Sequence, residues 1–263
     1  MFKTEKINPR QKDMNLSKYK IPMGKLPQSI EIILEKKTIE FEFNDFRSSG
    51  KISYQELEDG VYKNKDNSYF VKCTTEMKDV SPNMIDWWFS WFMPSSERYK
   101  LWHPRDHIAS YLTQGYPNKS TNREKYLELD SFVDEYIGKK LHSLCISFVQ
   151  PSSYGFKELS ENEVAICASV RDMNTGIYVA NLLHHVVANY QGSTMYSYFW
   201  MGMEPNHSNP LKDYLVKFLT KFKPLKAMLL NDEIAKDLSL HCYEEMNHLA
   251  KFLPAIYNDL GKR

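Results

Sequence analysis

At 263 residues the chain is long enough to bury a substantial core, as one catalytic domain with an extension or as two small domains. Its 34 lysines and arginines nearly balance 33 aspartates and glutamates, and the formal net charge of +1 argues against a global field for nucleic acid or anionic lipid. No apolar run approaches the ~20 residues of a bilayer span, and Met1 opens a charged and polar stretch, so a non-secreted, cytoplasmic protein is expected. The four cysteines, Cys73, Cys145, Cys167 and Cys242, are far apart and form no CxxC. They suit reduced core thiols rather than a disulfide frame or a thiolate zinc knuckle.

Residues 1 to 25 carry Lys3, Lys6, Lys12, Lys18, Lys20 and Lys25 among polar residues and prolines, and read as a solvated arm. From Ser29 to Phe43, SIEIILEKKTIEFEF alternates apolar and charged residues at its ends, which predicts a strand or extended arm. A second strand is expected around Tyr69 to Thr75. At Ser81-Pro82 the period changes: Ser81 can cap, Pro82 suits a first helical turn, and NMIDWWFSWF reads as a helix. Trp87, Trp88 and Trp91 share one face and are assigned to core packing. The segment Glu124 to Lys140 is mixed, and LHSLCISFV reads as a strand. EVAICASV, IYVANLLHHVVANY and STMYSYFWMG follow, separated by Asn174-Thr175-Gly176 and Tyr190-Gln191-Gly192, as strands joined by hairpin turns. From Pro210 the period is helical, resumes after Pro224, and ends in a long amphipathic helix from about Asn231 to Phe252. This order indicates an α+β fold with a helix lying across a curved antiparallel sheet, a cup suited to an apolar ligand.

Chemistry concentrates in the last helix. With each residue advancing about 100°, Ile234, Leu238, Cys242, Leu249 and Phe252 fall in one stripe, and His241 and Glu245 fall inside it. An imidazole and a carboxylate facing a core are costly unless paired or bound to a metal. The rival pair, Glu244 and His248, lies toward the polar edge. HxxxE alone is a weak pattern in a chain with eight histidines. His103 and His107 are also four apart, but Pro104 between them makes a regular helix doubtful, and Glu135 alone is an ordinary glutamate at a turn into a strand.

The strings MIDWWFSWF, ERYKLWHPRDH, EYIG, LLHHVVANYQG, SYFWMG and LHCYEEMNHL, in that order, resemble the 2,4-diacetylphloroglucinol hydrolase family, to which phloretin hydrolase also belongs. The resemblance runs from about Cys73 to Phe252. It implies a helix-grip fold like that of the Bet v 1 and START proteins, in residues 51 to 263, with residues 1 to 50 as an N-terminal arm. It implies a zinc-dependent hydrolase that cuts the carbon–carbon bond between an acyl group and a phloroglucinol ring. The implied Zn2+ ligands are His107, Glu135, His241 and Glu245, with His107 preferred to His103 because Tyr99 stands eight positions before it. The implied substrate-contacting residues are Tyr99, His185, for which His184 is the alternative, and Tyr198.

Zinc would polarise the acyl carbonyl and lower the pKa of water, and the same ligands would also accept manganese, iron or cobalt. Phloretin is expected ahead of diacetylphloroglucinol, from the resemblance and from the abundance of aromatic residues to hold a second ring. A non-catalytic carrier of apolar ligands is the alternative of another class, and it has no need of two carboxylates facing an apolar cup. A homodimer is expected, with the N-terminal strand pairing across a two-fold axis.

Overall fold

The computed structural model describes residues 15–51, 54–113, 121–207, 209–219, 226 and 229–262. Among the described residues nine strands form one sheet: β1 (Ile39–Glu40), β2 (Gly60–Lys63), β3 (Tyr69–Lys78), β4 (His107–Leu112), β5 (Asp130–Ile137), β6 (Lys140–Val149), β7 (Glu163–Asp172), β8 (Ile177–Asn189) and β9 (Gly192–His207). Their spatial order is β1-β2-β3-β9-β8-β7-β6-β5-β4, antiparallel except for the parallel β1–β2 pair. The helices are α1 (Gln28–Glu35), α2 (Pro82–Phe92), α3 (Ser96–Trp102), α4 (Asn122–Tyr126), α5 (Pro210–Leu219) and α6 (Asp232–Leu260). The expected α+β helix-grip architecture is present: the sheet is wrapped around α6, which packs against β2, β3 and β5.

Alternation along the strands separates two cores. Val71, Cys73, Val164, Ile166, Leu182, Val186, Met195 and Phe199 face α6 and the aromatic helix α2. Phe70, Ala165, Cys167, Leu183, Tyr198 and Trp200 face the other way, against Phe43, Tyr54 and Tyr154. Helix α2 begins at Pro82 as expected, although the Ser81 side chain makes no cap bond. Trp88 is fully buried, with its ring 5.3 Å from Phe252, and Trp87 stacks on Trp91 at 5.1 Å. The tryptophans therefore plug the cup, as core.

Two expectations are corrected. SIEIILE is a helix, because Ile30, Ile33 and Leu34, at spacings of three and four, turn to one side and pack on the core; only Ile39–Glu40 of this stretch is a strand. Residues 28–35 of the segment expected to pair across a two-fold are thus a helix, while Ile39–Glu40 is an edge strand of the sheet. Residues 17–19 do not read as a solvated arm either: Tyr19 is buried, and Lys18 Nζ and the Tyr19 hydroxyl donate to Asp259 Oδ2 at 2.6 and 2.7 Å. Residues 1–14, which carry three of the named lysines, and half of the run from 225 to 230 lie outside the described residues.

Helix α6 starts where expected. The Asn231 side chain accepts from the Ile234 amide at 3.0 Å, and Asp232 and Glu233 occupy the positive first turn. It runs two turns beyond Phe252, through Pro254, because Leu253 and Ile256 are fully buried and hold the helix past the missing amide.

One carboxylate ties α6 to the sheet edge. Asp59 accepts from Lys72 Nζ at 2.6 Å, from the Thr74 amide and hydroxyl at 2.7 Å each, and from the Tyr243 hydroxyl at 2.7 Å. The Lys72 side chain is only 3% exposed. Removing the carboxylate strands a buried ammonium, so Asp59→Ala is expected to lose about 3–5 kcal/mol in urea unfolding. Tyr243→Phe is expected to lose about 1 kcal/mol. Equal, small losses in both variants would show that Asp59 is not the anchor.

Candidate metal centre

The site forms where β4, β5 and α6 meet. His107 is the first residue of β4 and pairs directly with Glu135 of β5, and a register shift between His107 and Ala109 bends the strand there. The 103–107 turn is closed by the His107 amide donating to the His103 carbonyl at 3.0 Å. From the other side, His241 and Glu245 lie one helical turn apart on the buried face of α6. All four side chains are nearly closed to solvent. Glu135 Oε2 and Glu245 Oε2 stand 3.7 and 3.5 Å from His107 Nε2, and 4.0 and 3.9 Å from His241 Nε2. His107, His241 and Glu245 form a group able to hold a metal ion, and Glu135 borders it within 4.0 Å of both Nε2 atoms.

Tautomers sharpen the geometry. His107 Nδ1 lies 3.0 Å from the Tyr99 carbonyl, which can only accept, so the ring proton sits on Nδ1. Nε2 is then a bare lone pair, buried without a hydrogen-bond partner and turned toward two carboxylates. Burial and the neighbouring imidazoles of His241 and His103 hold His107 well below its usual range, so it does not protonate to relieve the conflict. Burial pushes Glu245 up to about 8, with Glu135 adding to the shift and His241 opposing it. Burial works against charge on His241 as well, yet Asp106, Glu245 and Glu135 raise it to about 9. A cation among these atoms satisfies the lone pair and both carboxylates at once.

His103, Asp106 and His241 form a second group able to hold a metal ion, but here both ring nitrogens of His103 have hydrogen-bond partners. The Asp106 amide donates to His103 Nδ1 at 3.1 Å, which leaves the neutral ring's proton on Nε2. That nitrogen faces Asp106 Oδ2 at 3.3 Å and Glu244 Oε2 at 3.4 Å. His103 is a donor to carboxylates, and Arg105 holds Glu244 at 2.6 Å beside it. Asp106, which sequence reasoning passed over, also approaches His241 Nδ1 at 3.6 Å.

Tyr99 is beside the quartet. Its ring stacks on His107 with centroids 3.7 Å apart, and its hydroxyl donates to Glu135 Oε2 in a short hydrogen bond. His185 and Tyr198 are not brought to the quartet. Odd-numbered residues of β8 and even-numbered residues of β9 face the second core: Tyr198 stacks on Phe70 at 5.9 Å, and His185 pairs with Glu163 at 2.8 Å and contacts Phe156. A cavity of about 250 Å³ between Phe46, Tyr178 and Trp200 lies on that opposite side and contains none of the quartet. His184 is the histidine on the cup side. It is buried between Phe89 and Phe199, with Nδ1 2.8 Å from the Ser197 hydroxyl.

His248 departs from the helical-wheel expectation. It is buried, because the segment Met23 to Pro27 covers that side of α6 and encloses a cavity of about 100 Å³ with Glu244 and Lys251. Periodicity within one helix cannot reveal a cover supplied by a segment more than two hundred residues away.

The family described as DAPG hydrolase PhiG domain matches residues 41–258, which include the quartet. The chain is 29% identical over 202 residues to a 2,4-diacetylphloroglucinol hydrolase of Pseudomonas protegens, a match covering 73% of this chain and 63% of that protein. It is 27% identical over 237 residues to the phloretin hydrolase of Eubacterium ramulus, covering 86% and 80% respectively. The match therefore spans less than two thirds of the Pseudomonas protein. Among solved structures, norcoclaurine synthase from Thalictrum flavum in complex with dopamine and hydroxybenzaldehyde is similar at TM-score 0.31 and 13% identity, over 79% of this chain and 98% of that one. The crystal structure of Ara h 8.0201 is similar at TM-score 0.32 and 9% identity, over 62% and 97%. With its family match extending over 41–258, the chain belongs to the DAPG hydrolase PhiG domain family.

Proposed function

We propose that this chain is a zinc-dependent hydrolase that removes the acyl group from an acylphloroglucinol, with phloretin as substrate, giving phloroglucinol and 3-(4-hydroxyphenyl)propanoate. The observation that carries the proposal is the buried lone pair of His107 Nε2, facing Glu135 and Glu245 without a donor. The donor set fits zinc: two imidazole nitrogens and two carboxylate oxygens, with nitrogen–oxygen separations of 3.5 to 4.0 Å. A tetrahedral ion with ligands at about 2.0–2.1 Å has edges of about 3.3–3.4 Å, close to these nitrogen–oxygen separations. When bound, zinc supplies Lewis acidity toward the acyl carbonyl and makes water a usable nucleophile near neutral pH.

The chain's own groups do the rest. Tyr99 holds one oxygen of Glu135 and fixes that carboxylate's orientation. We assign the ring contact to His184, which lies on the cup side, rather than His185; burial lowers it to about 3, so at neutral pH it is a neutral hydrogen-bond partner. The rings of Phe89, Trp102 and Phe199 offer flat apolar walls for a polyphenol. Phloretin is placed first because the phloretin hydrolase match covers more of both chains than the diacetylphloroglucinol hydrolase match. A carrier of apolar ligands would leave two buried carboxylates without a purpose.

Purified protein is expected to contain about one zinc per chain by elemental analysis, and to cleave phloretin faster than diacetylphloroglucinol in parallel assays. His241→Ala should lose metal and turnover together. Less than a tenth of an equivalent of zinc, with no activity gained on adding it, would overturn the proposal. His184→Gln should keep zinc and lose at least about 100-fold in kcat, while His185→Gln stays within about threefold. The reverse order would place the substrate on the other side of the sheet.

Proton linkage gives an independent check on His184. The unfolded imidazole takes up a proton below its ordinary value of 6.5, whereas the folded one resists until about 3. Stability is therefore full above pH 6.5 and falls as pH drops toward 3, by up to about 1.4 kcal/mol per pH unit from this group. His184→Gln should flatten that slope in urea unfolding measured between pH 7 and pH 5. An unchanged slope would mean that His184 titrates normally.

A further inference from the structure

Trp102 closes α3 immediately before His103, and its indole stands at the edge of the quartet. Its ring is 5.5 Å from that of His107 at an interplanar angle of 87°, and it also contacts Tyr99, Phe89 and Phe92. The residue is 5% exposed, and its Nε1 is buried without a hydrogen-bond partner. An indole N–H can only donate, and leaving it unpaired in a protein interior costs about 1–3 kcal/mol. Buried tryptophans ordinarily find an acceptor. Phe89 touches both Trp102 and His184, so one phenyl ring bridges the indole and the imidazole beside the candidate metal ligands.

We infer that Trp102 is a specificity-determining hydrogen-bond donor, whose Nε1–H binds the ring oxygen flanking the acyl group of the substrate. This rests on the proposed acylphloroglucinol hydrolysis. In that reaction water adds to the acyl carbonyl, and the ring–acyl bond breaks with its electron pair going to the ring. The ring carbon then takes a proton as the carboxylic acid leaves. Between those events the charge spreads onto the oxygens flanking the broken bond. A fixed, desolvated N–H aimed at one of them stabilises that charge more than it stabilises the neutral substrate. The donor also selects for hydroxylation at that position, because an analogue without the oxygen leaves the indole unpaired.

The test uses zinc-loaded protein, with phloroglucinol as the calorimetric ligand and phloretin as the substrate. Trp102→Phe removes the donor, and replacing the Trp102 indole with isosteric benzothiophene removes it without changing the ring's volume. Trp88→Phe deletes a second buried, unpartnered indole N–H, one whose ring touches Trp102 at 6.1 Å but not His107, and serves as the control for repacking around Trp102. Both Trp102 replacements are expected to weaken phloroglucinol binding about 10-fold and lower kcat on phloretin by about 10- to 100-fold, with zinc content unchanged. Trp88→Phe is expected to bind phloroglucinol within twofold of the unaltered protein. Binding within twofold in the benzothiophene protein, equal weakening in Trp88→Phe, or no phloroglucinol binding by the unaltered protein overturns the inference. Failure of the unaltered, zinc-loaded protein to cleave phloretin or diacetylphloroglucinol would instead overturn the hydrolase proposal.

Discussion

Two carboxylates and two imidazoles share one dry volume, and each imidazole has one nitrogen directed elsewhere. His107 gives its Nδ1 proton to the Tyr99 carbonyl, and His241 turns Nδ1 toward Asp106, so both Nε2 atoms are left for the same point that Glu135 and Glu245 face. Desolvated carboxylates are costly in isolation, and a protein that merely needed a core would place apolar side chains here. Much of the surrounding architecture serves to hold this arrangement. The β4–β5 register sets His107 opposite Glu135, the bend after His107 aims its ring inward, and α6 is fixed by its Asn231 cap at one end and by the Asp59–Tyr243 bond along its length.

Around that point the sheet's two-residue alternation decides what can reach a ligand. His184 and His185 are neighbours in sequence, yet one lies with Phe89 and Phe199 under the helix and the other with Phe156 and Glu163 on the far side. The same parity sends Tyr198 into the second core while Ser197 stays on the cup side, bonded to His184. The aromatic helix α2 then fills the cup beside the quartet. Under the proposed function, a flat, oxygen-rich substrate would meet aromatic rings with its faces and a few fixed polar atoms with its oxygens.

Much of this was legible in the chain, and the failures have identifiable causes. The 3.6-residue period of α6 marked His241 and Glu245 as core-facing, and the break at Ser81-Pro82 marked the start of α2, because both depend on local geometry alone. The family motifs joined Glu135 and His107 to that helix, which no spacing could do. Parity in β8 was not legible: an adjacent pair of histidines fits either face until the register with β7 and β9 is known. SIEIILEK was misread because charged residues at both ends mimic alternation, whereas Ile30, Ile33 and Leu34 follow a helical period. Trp102 was hidden as one aromatic among many, since an unpaired donor is visible only once its neighbours are placed.

The central claim is that the four buried groups exist to share one cation. Calorimetric titration of metal-stripped protein with zinc tests this most directly. Binding should saturate at one equivalent and release protons, because carboxylate and imidazole must surrender them to the metal, and Glu245→Gln should weaken the affinity by at least tenfold. No binding heat, or equal affinity in the unaltered protein and Glu245→Gln, would contradict it.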